Sequence, residues 1–156
     1  SPYLPIPSSP YLPMNPTANI QTFTWDDSLS TGVPMIDAHH KELIAAVNDL
    51  GQAIAHHKGA TAIKKLFAFL KFYAEWHFEH EEACAAKHKC AIAEVNQQAH
   101  AQFIKTFGHL HDRYKASDAS EAVAEEIYQK LVDWLTSHIL KIDTNIGRCI
   151  RSSAPA

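Results

Sequence analysis

Residues 37–59, DAHHKELIAAVNDLGQAIAHHKG, set His40, Leu43, Val47, Leu50 and Ile54 at alternating steps of three and four. That spacing returns every side chain to one face of an α-helix, so the stretch predicts a helix with a buried stripe, capped near Asp37 and ended by Gly59. One member of the stripe is out of place chemically. His40 puts an imidazole on a seam that is otherwise aliphatic, and a buried polar ring costs free energy unless something bonds it.

Three later stretches repeat the pattern. From about Thr61, Ile63, Leu66, Leu70, Tyr73, His77 and Cys84 share a face, and the helix is expected to fade in the AAKHKC run. From Ala93 to Tyr114 the stripe is Asn96, His100, Phe103, Phe107, Leu110 and Tyr114; SDAS then makes a turn. A fourth helix beginning near Ser120 carries Ile127, Leu131, Trp134, Leu135, His138 and Ile142, with Gly147 as its stop or the beginning of a short tail. Each is roughly 20 residues, or about 30 Å at 1.5 Å per residue, and the connections are short. Sequential helices joined this way lie antiparallel, so the fold expected is all-α: an up-down-up-down four-helix bundle preceded by an N-terminal loop or arm.

His40, His77, His100 and His138 therefore point inward, one from each helix. A single core histidine is ordinarily a hydrogen-bonded structural residue; four converging on one interior suggest metal ligands. Glu81 follows His77 by four residues and shares its face, where a carboxylate is able to bridge two cations. Asp143 follows His138 by five, which on an ideal helix leaves the two about 140° apart. Either the helix widens or ends there, so that both face inward, or Asp143 is a solvated residue. Imidazole and carboxylate donors suit iron, manganese or zinc. Cys84 shares the His77 face and reads as a small buried apolar residue. His80, about 60° from His77, reads as a rim residue, and His39, His56, His57, His88 and His109 read as surface.

Three segments, WDDSLSTGVPMIDAHHKEL from Trp25, HFEHE from His77 to Glu81, and WLTSHILKID from Trp134 to Asp143, make the chain resemble bacterial hemerythrins over most of residues 23–146. The resemblance implies an antiparallel four-helix bundle around a non-haem di-iron centre that binds O2 reversibly. Carried onto this chain, it assigns His40 and His77 to one iron and His100 and His138 to the other. Glu81 and Asp143 would bridge the pair together with an oxo or hydroxo group, and Leu135 would cover it. The chain departs from the family in the third helix, where H-x3-H becomes Asn96-QQA-His100. An amide oxygen is a poorer donor to iron than imidazole, so this substitution implies an open position for O2, water or small anions. That favours redox or oxygen sensing over storage. The alternatives are a reversible O2 store and, from another class, a di-iron oxidase or peroxidase, for which no positioned acid or nucleophile is visible.

The remaining composition sets bounds. At 156 residues the chain holds one domain. Most of its eight prolines fall within residues 1–19, SPYLPIPSSPYLPMNPTAN, an expected extended arm or linker. The bundle is expected over 20–150 and a flexible tail over 151–156. A net charge of -3 gives no electrostatic reason for a nucleic-acid partner. No apolar run is long enough for a membrane span. Three cysteines without a C-x-x-C pair argue against a disulfide framework, which makes a reducing cytoplasm the expected location. A sensing role further expects an output domain or partner.

Overall fold

A computed structural model describes residues 22–153. Within them a 3-10 turn, Asp27–Leu29, leads into helices α1 (Pro34–Ala55), α2 (Ala60–Lys87), α3 (Ala93–Ala116) and α4 (Glu121–His138). A π-helical turn, Ile139–Asp143, then passes directly into α5 (Thr144–Ser152). α1 packs on α2 and α4, and α3 packs on α2 and α4, which closes the four long helices into a bundle. The Pro-rich arm expected over 1–19 lies outside the described residues.

The predicted stripes form the core. Leu43, Val47, Leu50 and Ile54 of α1 meet Ile63, Phe67 and Leu70 of α2 and Ile127 and Leu131 of α4. Burying a side chain of this size contributes about 1.5–3 kcal/mol. Phe67 sits edge-on to Phe107 and Tyr114, with ring centroids 5.9 and 5.2 Å away, and fills the α3 side. Toward the opposite end the stripe residues become polar, and beyond them lies a second small apolar cluster of Ala85, Cys90 and Ile146.

Local boundaries follow from chemistry at the ends. α1 starts at Pro34, whose missing N–H costs nothing in a first turn. Asp37 is therefore inside the helix rather than its cap. Its carboxylate accepts instead from the Thr31 backbone N–H at 2.8 Å and from the Thr31 and Ser30 hydroxyls, fastening the entry loop to α1. Asn48 does the same further along, exchanging two 2.7 Å hydrogen bonds with the Phe23 backbone. Gly59 does not stop α1, which ends at Ala55; at φ 92° it precedes α2. Ser120 caps α4 as expected, accepting from Val123 N–H.

Two expectations are overturned. Cys90 and Cys149 are disulfide-bonded, joining the α2–α3 connection to α5 across 59 positions, and only Cys84 is free, half-buried rather than fully interior. Neither cysteine's sequence context announces a partner, because the pairing depends on α5 continuing the fourth helix past the end of α2 to the level of the α2–α3 connection. The cysteine argument for a reducing compartment falls with it. Among the described residues no helix is long and apolar enough to cross a membrane. Gly147, read as a stop, lies within α5, and Arg151 and Ser152, expected in a flexible tail, complete that helix.

Gly147 is required by close approach. A Cβ there would stand 2.1 Å from the Thr31 carbonyl oxygen, whereas at Gly108, within α3, it would meet nothing within 4 Å. Gly147→Ala is expected to lower stability in urea or guanidinium unfolding by about 1–3 kcal/mol. Gly108→Ala is expected to raise it by about 0.5–1 kcal/mol. Equal effects from the two would show that α5 does not sit on the entry loop.

Candidate metal centre

The six ionisable residues singled out by spacing come together where the core turns polar. α1 supplies His40, α2 His77 and Glu81, α3 His100, α4 His138, and the π-helical turn Asp143; all are at most 5% exposed. The π-turn resolves the five-residue spacing. Its Thr144 N–H bonds the Ile139 carbonyl, an i→i+5 bond that takes up one extra residue per turn, so His138 and Asp143 both face inward.

The residues form two groups, His40, His77, Glu81 and Asp143, and Glu81, His100, His138 and Asp143, with donor atoms within 4.8 Å of one another in each. Both carboxylates belong to both groups, one oxygen to each. Glu81 Oε2 lies 3.1 Å from His77 Nε2 and 3.5 Å from His40 Nε2, while Oε1 lies 3.3 Å from His100 Nε2. Asp143 Oδ2 lies 3.0 Å from His40 Nε2, and Oδ1 lies 3.0 Å from His138 Nε2.

The imidazoles are held from behind. His77 Nδ1 is 3.0 Å from His39 Nδ1, and His100 Nδ1 is 3.2 Å from Glu82 Oε2, which leaves both Nε2 atoms turned inward. Phe78 stacks on His100 at 3.8 Å and 9°, and Trp134 stacks on His138 at 4.4 Å and 12°. Leu135 is buried and lines a cavity of about 30 Å³ with Leu43, Phe78 and Trp134, bordered only by apolar side chains.

Protein groups alone do not satisfy this arrangement. His40 Nε2 faces His77 Nε2 at 3.1 Å, and His100 Nε2 faces His138 Nε2 at 3.0 Å, so lone pairs meet lone pairs unless a proton or cation lies between. Glu81 Oε2, Asp143 Oδ1, His40 Nδ1 and Asn96 Oδ1 are buried without a hydrogen-bond partner. Asp143 Oδ1 is near His138 but not in hydrogen-bonding orientation. Burial alone would lower the His40 pKa, but Asp143 and Glu81 outweigh it and raise it to about 9. Burial would likewise raise Glu81, but His100, His40, His77 and Asp143 hold its carboxyl well below the usual range. Burial dominates at His77, whose pKa is lowered. Two buried carboxyl groups thus face four buried imidazoles, and the donor set, all nitrogen and oxygen, fits a pair of cations such as iron, manganese or zinc.

Asn96 sits at the α3 edge, fully buried, and its Nδ2 donates to Glu81 Oε1 at 3.0 Å. His39 and Glu82 were missed in the sequence. Neither lies on a stripe, and a half-buried residue behind a ligand leaves no periodic signal. His80 is half-buried on the rim, with Nδ1 2.9 Å from the Trp76 carbonyl.

The model of the hemerythrin HHE cation binding domain matches residues 31–150. A bacteriohemerythrin of Pseudomonas aeruginosa is 29% identical over 129 residues, covering 83% of this chain and 82% of the relative. A bacteriohemerythrin of Clostridium acetobutylicum is 26% identical over 124 residues, 78% of this chain and 95% of that protein. A hemerythrin-like protein of Naegleria gruberi is 27% identical over 117 residues, 75% and 84% of the respective lengths. With the domain match spanning every residue of the buried cluster, the chain belongs to the hemerythrin family.

Proposed function

We propose that the chain is a non-haem di-iron, O2-binding domain whose centre is opened at one position and which serves redox or oxygen sensing. The observation that carries this reading is the sharing of both carboxylates: Glu81 and Asp143 each turn one oxygen to each histidine pair. His40 and His77 would hold one ion, His100 and His138 the other, with Glu81 and Asp143 between them. When bound, such an iron pair supplies O2 binding and a change of oxidation state. The chain's own contribution is to orient the imidazoles through His39 and Glu82, to place Leu135 over the apolar approach, and to keep bulk water from the carboxylates.

Asn96 supports the open position. Its N–H2 is committed to Glu81 Oε1, and its carbonyl oxygen is buried without a partner, so no second α3 imidazole is offered to the ion beside His100. Each ion then draws on two imidazoles and two shared carboxylates. Coordination positions remain for O2, water or small anions.

Iron supplied anaerobically to the reduced protein is expected to bind at two ions per chain by metal analysis, with loss of most of it in His77→Ala and Glu81→Ala. Retention of iron by both variants would remove the proposal. Asn96→His is expected to raise iron retention, weaken azide binding and slow oxidation in air. If all three match the parent, position 96 is not open and O2 storage becomes the better reading.

Protons and cations compete for His40, which gives a pH prediction for the metal-free protein. The His40 pKa is raised in the fold, from an ordinary 6.5 to about 9, so its stabilisation is fully present below pH 6.5 and is lost as pH rises through 9. Glu81, lowered, contributes above its ordinary range and loses that contribution only in acid. His77, lowered, opposes folding only below its ordinary value. Denaturant unfolding of the metal-free domain should therefore show stability falling between pH 7 and 9 by up to about 1.4 kcal/mol per pH unit. The iron-loaded protein should show no such slope, and iron affinity should weaken as pH falls.

A further inference from the structure

Past Asp143 the chain passes from π-turn to α-helix without a break, and several contacts hold α5 where it lies. Ile146 is fully buried with Ala85 and Cys90. Gly147 stands against the Thr31 carbonyl, where a Cβ has no room. His88, at the end of α2, meets Ser153 through Nδ1 and Oγ. The one covalent hold is the disulfide from Cys149 to Cys90 in the α2–α3 connection, with the two Cα atoms 5.9 Å apart.

That crosslink fixes a winding as well as a position. The π-turn takes up one extra residue between His138 and Asp143, so relaxing it to α-helical winding would turn every residue beyond it by about 100° about the helix axis. Asp143 would then stand about 140° from His138 and leave the buried cluster. Cys149 would turn with it, and its Cβ would no longer face Cys90, which a disulfide does not tolerate. The crosslink is therefore compatible with the π register and not with the α register.

The two sulfurs are unequally shielded. Cys90 is 6% exposed, whereas Cys149 is half-buried on α5. Lys87 and Lys89 precede Cys90 in the sequence and Arg148 precedes Cys149, while the acidic residue nearest to Cys90 along the chain is Glu94. Positive charge near a cysteine stabilises its thiolate, and a stabilised thiolate leaves a disulfide more readily.

We propose that Cys90–Cys149 is a thiol–disulfide exchange site for a dithiol reductant, and that opening it releases the π register that holds Asp143 in the cluster. One thiolate of the reductant attacks Cys149 Sγ; the Cys90–Cys149 bond breaks and Cys90 departs as thiolate. The second thiol of the reductant then displaces Cys149 from the mixed disulfide. The reductant ends as a disulfide, having given up two electrons and two protons, and Cys90 and Cys149 end as thiols. α5 is left with the packing of Ile146, the Gly147 approach and the His88 hydrogen bond. A weaker hold on Asp143 means a weaker hold on metal, and that last consequence rests on the di-iron reading; the exchange and the release do not.

The test uses the full, metal-free chain carrying Cys84→Ser, so that every thiol counted belongs to the pair. Thiol titration should find none before reduction and both after dithiothreitol is applied under native conditions and removed anaerobically. Hydrogen exchange read by mass spectrometry should show protection across residues 139–152 roughly tenfold lower or more in the reduced chain, with residues 43–54 of α1 unchanged. Cys90→Ser with Cys149→Ser should match the reduced chain whether or not dithiothreitol is present. Free thiols in the air-equilibrated chain, a disulfide that dithiothreitol opens only in denaturant, unchanged protection across 139–152, or an equal loss across α1 would each overturn the proposal. Iron(II) loaded anaerobically and drawn off by ferrozine should leave the double-serine variant roughly tenfold faster than the disulfide-bonded chain, and equal rates would overturn it too. A disulfide-bonded chain that takes up no iron sinks the di-iron reading instead, and the thiol count and amide protection then decide the exchange site by themselves.

Discussion

Two carboxylates buried among four imidazoles, Glu81 and Asp143 among His40, His77, His100 and His138, are the constraint around which the bundle is arranged. Leaving either carboxylate uncompensated in an apolar interior is costly by several kcal/mol. Four helices must each deliver one imidazole to the same level for the centre to be filled. This fixes the relative heights of the helices more tightly than the aliphatic core does, since leucine and isoleucine contacts tolerate sliding by a fraction of a turn. The Phe78 and Trp134 rings then lock His100 and His138 by stacking, so the aromatic residues of the stripes hold the site as well as the core.

What the sequence made legible were features carried by period. The helical stripes place the core and five of the inward ionisable residues, and the mismatch between five residues and 3.6 per turn at His138 and Asp143 left Asp143 either on a widened or ending helix or in solvent. The π-turn is the widened alternative. What escaped were contacts between segments that have no period. Asp37 reads as a cap because it precedes an apolar run, yet the helix begins earlier at Pro34 and the carboxylate serves the loop. Cys90 and Cys149 pair only because α5 carries the fourth helix on to the level of the α2–α3 connection, and Gly147 is glycine because the Thr31 carbonyl stands where its Cβ would be. His39, passed over as surface, meets His77 because α1 and α2 cross at that level.

These unforeseen contacts are concentrated at one end. The disulfide, the Gly147–Thr31 approach and the Ala85, Cys90 and Ile146 cluster all secure α5, which follows Asp143 without a break. A π-turn is less regular than the α-helix on either side and needs support from packing. Asp143 is held inward by what lies after it as much as by the helix before it.

Asn96 fits the same logic. An imidazole at this position would direct a nitrogen toward the centre, whereas the shorter amide stops at Glu81 and donates to the oxygen that faces His100. A neutral donor on that oxygen withdraws some of its charge, which would weaken the carboxylate as a ligand for an ion held by His100 and His138 more than for one held by His40 and His77. With two imidazoles on each side, the two halves of the cluster differ through this bridge, whose less basic oxygen faces His100. Were the proposed pair of ions bound, that difference in the bridge would make them unequal in how readily each gives up an electron or accepts an outside ligand.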